Sequence, residues 1–169
     1  MSGIIEVYHA GVEHIRKPDT KHGRTQLDFG PGFYMTDIYD QAVNWAIRRS
    51  NQYKMEPVVN KYLLRQQDLL ADGECRTLIF PEYNDEWLDF IVGNRTGHDF
   101  WNKYDYIEGG VADDRVVDTI DLYMTGFITR HEAIERLKYL RPNNQICILS
   151  QRLIDNYLSY KDSIIIDRP

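Results

Sequence analysis

The sequence predicts an α+β fold in which strands and helices do not alternate strictly. Two observations carry that expectation. The first two apolar extended runs, Ile4–Ala10 and Gly30–Thr36, have only a polar loop between them. The later runs are separated by one helical pattern in places and by two in others, so a doubly wound parallel sheet is disfavoured. The chain has 169 residues and no repeat, low-complexity tract or Ser/Gly-rich linker, and it reads as one domain over 1–169.

Ile4 to Ala10 is a strand stopped at Gly11. Val12 to Phe29 lacks a period, contains Pro18 and Gly23, and reads as a loop; a loop this long inside a compact domain is often functional. Gly30-Pro31-Gly32 is a turn that delivers Phe33-Tyr34-Met35 as a short strand. That turn admits two readings. It is a floor for a planar ligand, or a hairpin turn before a core strand in which Tyr34 packs like any other tyrosine.

A helix is expected over Asp37–Ser50, capped by Thr36 or Asp37, with Ile38, Ala42, Trp45 and Ala46 on one side. Val58 to Leu64 is a β-branched run and reads as a central strand. Asp68–Ala71 is a helical turn and Thr77–Phe80 a short extended piece. Asn84–Asn94 is a helix with Trp87, Phe90 and Ile91 inward, and Tyr104–Val111 a strand. Asp113-Asp114 cap a helix over Arg115–Thr125 that Gly126 ends. Thr129-Arg130-His131-Glu132 is a capping box opening a helix through Leu140, which Arg141-Pro142 breaks. Gln145–Leu149 is a strand, Gln151–Leu158 a helix, and Ser163–Asp167 the last strand.

A net charge of −6 argues against sequence-independent clamping of nucleic acid, which needs a broad positive face. Cys75 and Cys147 have no Cys-x-x-Cys partner and no zinc spacing, so reduced thiols and no bound metal are expected. Met1 to Gly11 has no basic region followed by an apolar run, and no stretch is apolar enough to span a membrane. The reading is cytoplasmic, with secretion lacking a signal peptide left open. There is no Gly-x-Gly-x-x-Gly after a strand, no P-loop and no Gly-x-Ser-x-Gly elbow. Asp113-Asp114 and Glu132 are explained by helix capping.

Three features remain: Tyr8-His9-Ala10-Gly11, Gly32-Phe33-Tyr34-Met35-Thr36 and Asn143-Asn144-Gln145-Ile146. With Gly23-Arg24, Asp28-Phe29-Gly30 and Gln41-Ala42-Val43-Asn44-Trp45-Ala46 they form a pattern that spans nearly the whole chain. It resembles the ADP-ribosyltransferase fold, and more narrowly the bacterial domains of unknown function of the DUF3990 type. The resemblance implies a split two-sheet β core with NAD between the sheets, as substrate and without metal. It implies catalytic roles for His9, Tyr34 and Gln145. His9 would bond the ribose, Tyr34 would stack on nicotinamide, and the Gly11 backbone would approach the amide. Arg24 and Asp28 would reach the diphosphate or ribose, or else are solvated loop residues. Gln145 stands where many transferases have glutamate, which is a departure.

The resemblance implies mono-ADP-ribosyl transfer, toxin-like or in host conflict, to an unidentified protein or nucleic-acid acceptor, with an antitoxin as a further partner. NAD hydrolysis is the second reading. A catalytically weak NAD-, ADP-ribose- or partner-binding domain is the third. If Gln145 is misplaced as a catalytic residue, Asp113 and Asp28 are the next candidates.

Overall fold

The computed structural model describes residues 3–22, 28–110, 114–139 and 143–168. Among these residues seven strands and six α-helices build an α+β fold with two sheets. The strands are β1 (Ile4–Gly11), β2 (Phe33–Met35), β3 (Val58–Arg65), β4 (Thr77–Ile79), β5 (Tyr106–Gly109), β6 (Gln145–Ile148) and β7 (Leu158–Ile165). The helices are α1 (Tyr39–Tyr53), α2 (Gln66–Leu70), α3 (Asp85–Arg95), α4 (Asp114–Met124), α5 (Arg130–Lys138) and α6 (Gln151–Tyr157). Short 3₁₀ turns at Thr20–His22 and Phe100–Lys103 have no counterpart in the sequence reading.

One sheet has the order β1-β3-β7, antiparallel throughout. The other has the order β2-β6-β5-β4, in which only β4 and β5 run parallel. That parallel pair is joined through α3, the crossover a parallel connection requires. Among the described residues the two sheets touch edge to edge at one backbone bridge, Tyr8–Thr36, with hydrogen bonds of 2.8 and 2.9 Å.

Side-chain alternation on each strand sorts the core into three parts. Val7, Phe33, Met35, Tyr62, Leu64, Tyr106, Ile146 and Ile148 fill the space between the sheets, with Leu153 and Ile154 of α6. Ile107 and Cys147 face the other way, toward Trp87, Ile91, Ile120, Ala133 and Leu137 of α3, α4 and α5. Ala10 and Val59 meet Ala42 and Ala46 of α1 on the outer side of the three-stranded sheet. Small residues there let the helix lie close.

The capping box of Thr129 and Glu132 is present, and Asn84 caps α3 by accepting from the Trp87 amide. Gly126 has φ +80, as the end of α4 requires. The start of α1 differs from the sequence reading. Its cap is Ile38 with no side-chain bond, while the Thr36 hydroxyl accepts from the Ile38 amide and Asp37 is bonded by Asn144 Nδ2. Thr36 and Asp37 are spent on the strand exit instead of the helix start. The last strand also begins earlier than Ser163. It leaves α6 without a turn at Leu158 and continues as an outer strand in which Ser159 and Lys161 are exposed and Tyr160 is half-buried. Residues 113 and 140–142, where a cap and a helix end were expected, lie outside the described residues.

Candidate functional site

The seam between the sheets is built by β1 and β2. Past the Tyr8–Thr36 bridge the two backbones no longer pair, and a side chain takes the next rung: His9 Nδ1 lies 2.7 Å from the Tyr34 carbonyl oxygen. A carbonyl only accepts, so Nδ1 carries a proton. The imidazole also stacks on Phe33, with ring centroids 4.5 Å apart and planes 16° from parallel. The hydrogen bond and the stack together fix the ring plane.

Gly11 lies on the Nε2 side of that ring. A Cβ at Gly11 would stand 3.8 Å from Nε2, so the glycine leaves ordinary contact room there. The chain after Gly11 is clamped over the end of the sheet gap. Asn60 accepts from the Ile15 amide at 2.9 Å and donates to the Glu13 carbonyl at 2.9 Å, and the Tyr62 hydroxyl donates to the Ile15 carbonyl at 2.6 Å. Asn60 and Tyr62 are fully buried. Sequence reasoning passed over them, although an amide inside the Val58-Val59-Asn60 run signals a buried polar group that needs partners.

Tyr34 is placed differently from His9. On β2, Phe33 and Met35 face the inter-sheet core and Tyr34 faces the opposite side, opposite Cys147. Its hydroxyl accepts from the Phe29 amide at 3.1 Å and donates to the Gly30 carbonyl. Burial pushes that hydroxyl well above the usual phenol pKa, so it stays protonated and keeps donating. Tyr34 therefore staples the turn that precedes its own strand.

The two turn glycines are explained by packing. Gly30 has φ +91, and a Cβ there would stand 2.4 Å from the Trp101 ring. A Cβ on Gly32 would stand 2.5 Å from Cys147 Sγ and 2.7 Å from the Ile148 carbonyl. The turn is closely packed before a core strand, as the second reading has it, but β2 pairs with β6 and, among the described residues, with no strand leading into the turn, so it is not a hairpin.

Gln145 opens β6 opposite Gly109 and, by alternation, shares a face with Cys147 and Tyr34. It is 8% exposed. Asn144, just before it, exchanges two hydrogen bonds with Gln41 of α1 and donates from Nδ2 to Asp37 and Glu108. The start of β6 is thus fixed from both sides. Asp28 is engaged by Arg95 Nε at 2.9 Å, and its carbonyl by Asn94 at 2.7 Å, which ties the end of the loop to α3. Burial raises the pKa of the Asp28 carboxyl against the pull of Arg95. Arg24 and Asp113 lie outside the described residues.

The structure thus brings together His9, Gly11 and the backbone of Tyr34. It places the Tyr34 ring and Gln145 on the other face of the four-stranded sheet from Phe33, against which His9 stacks. Over residues 5–160 the sequence matches the family described as "Protein of unknown function (DUF3990)". The chain belongs to that family. No curated protein and no solved structure matches it. In this DUF3990 member no group of three or more His, Cys, Asp or Glu side chains is placed to hold a metal among the described residues. Among the same residues no helix is long and apolar enough to cross a membrane.

Proposed function

We propose that the chain is a mono-ADP-ribosyltransferase that uses NAD, bound at the seam where the two sheets part. The observation that carries this is the fixed imidazole of His9, held by the Tyr34 carbonyl and the Phe33 ring beside Gly11. An orienting group held this firmly lowers the entropy that a bound sugar must lose before its bond breaks. The resemblance of the His9 and Tyr34 segments to the ADP-ribosyltransferase fold, with Gln145 standing where many transferases have glutamate, supplies the choice of NAD.

In the proposed reaction the bond between ribose and nicotinamide breaks and nicotinamide leaves with the bonding pair. The acceptor nucleophile closes on the sugar carbon and gives up its proton. Charge develops on the sugar between those events, and groups that meet it must already be in place. Gln145, at the start of β6, lies on the other face of the four-stranded sheet from the Phe33 ring on which His9 stacks, and it carries no charge.

That uncharged, nearly buried side chain favours a second reading, in which the domain binds NAD or ADP-ribose and turns it over poorly. Incubation with labelled NAD and a cell lysate separates the readings. Label in protein or nucleic acid supports transfer. Free labelled ADP-ribose alone supports hydrolysis. Saturable binding with no product supports the binder.

A further inference from the structure

A cavity of about 370 Å³ lies away from the Tyr34 face of the sheet, between the loop after β1 and the α6–β7 corner. Its floor is apolar: Ile154 and Leu158 are buried members of the inter-sheet core. The half-buried ring of Tyr160 forms one wall. Arg16, Lys17, Asp19, Gln151 and Asp155 supply its polar lining.

The charges of the lining are not equivalent. Asp155 accepts from Gln151 Nε2 at 2.9 Å, and Asp19 accepts from the Lys21 amide at 2.9 Å. Gln151 also accepts from the Thr20 amide at 3.1 Å and donates to the Pro18 carbonyl, so the lining is tied down there. No ion pair of Arg16 or Lys17 is found among the described residues, and both side chains are exposed. The carboxylates of Asp19 and Asp155 share the same lining, so a ligand with a flat apolar body and an anionic group fits with its anion at Arg16 and Lys17, neither of which has a carboxylate partner among the described residues.

We propose that this cavity binds an organic phosphate of nucleoside-monophosphate size, the ring against Tyr160 and Leu158 and the phosphate on Arg16 and Lys17. The pocket is walled independently of Tyr34 and Gln145. It connects to the seam through an unbroken series of ring contacts, Tyr160 to Tyr62 at 5.9 Å, Tyr62 to Phe33 at 5.6 Å and Phe33 to His9 at 4.5 Å.

Calorimetry with AMP, adenosine and inorganic phosphate tests the assignment, using the full chain and the double variant Arg16→Glu, Lys17→Glu. Both side chains are exposed, and a matching thermal melt establishes that the variant is folded. The expected result is AMP binding tighter than either fragment, weakened at least about tenfold in the double variant, the scale of losing one charged hydrogen bond. No AMP binding at millimolar concentration overturns the proposal, as does equal affinity in the variant. Inorganic phosphate binding as tightly as AMP overturns the organic ligand class. None of these outcomes depends on NAD turnover, so this assignment and the transferase reading fail separately.

Discussion

His9 Nδ1 sits 2.7 Å from the Tyr34 carbonyl oxygen, one residue past the only backbone bridge found between β1 and β2 among the described residues. A side chain closes the seam where the ladder stops. Replacement by phenylalanine keeps a ring to stack on Phe33 and removes the hydrogen bond. His9→Phe should remain folded, lose about 1 kcal/mol in denaturant unfolding, and lose label transfer from NAD. Unchanged transfer in a folded His9→Phe would remove the imidazole from the reaction.

Tyr34→Phe tests whether the phenol is a staple. Loss of its hydroxyl leaves the Phe29 amide and the Gly30 carbonyl without that partner, which should cost about 1–3 kcal/mol. A stability equal to wild type would show that the ring acts only as an aromatic face.

Gly30→Ala meets two obstacles, a backbone at φ +91 and a Trp101 ring 2.4 Å from the new Cβ. The variant should be destabilised by more than about 1 kcal/mol, and Trp101→Ala added to it should recover only the steric part. Full recovery in the double variant would mean that the left-handed backbone carries no strain.

Much of the fold was readable because its signals are local. The β-branched run of β3, the Thr129–Glu132 box and the inward Trp87, Phe90 and Ile91 of α3 each depend on neighbours in sequence. The parts that were not readable depend on distant partners. Gly30 and Gly32 look like a ligand-approach motif until Trp101 and Cys147 are seen packed on them. Thr36 and Asp37 look like helix caps until Tyr8 and Asn144 are seen to claim them. The residue types of the candidate site were legible for the same local reason. Which face each occupies was not, since one step along β2 separates Tyr34 from the side on which His9 stacks.

Acid stability should depend on Asp72, which accepts from Arg152 and the Tyr157 hydroxyl and so links the end of α2 to α6. Those bonds, Arg152 first, hold its pKa well below the usual carboxylate value. A depressed folded pKa stabilises the fold above the unfolded value of about 3.9, and the contribution is lost as pH falls through the folded value. Asp72→Asn should melt lower than wild type at neutral pH, and the gap should narrow steadily below about pH 4. A constant gap down to strong acid would contradict the linkage.

The most direct measurement of the central claim is product formation from labelled NAD by wild type, His9→Ala and Gln145→Ala, with NAD affinity measured in the same three proteins. Transfer predicts label in an acceptor with wild type and none with His9→Ala, while Gln145→Ala, on the other face of the four-stranded sheet, tests whether its amide reaches the sugar: no label at nearly unchanged NAD affinity assigns it to the transition state. No NAD binding by wild type at millimolar concentration would contradict the claim outright. Wild-type transfer by both variants would contradict the site.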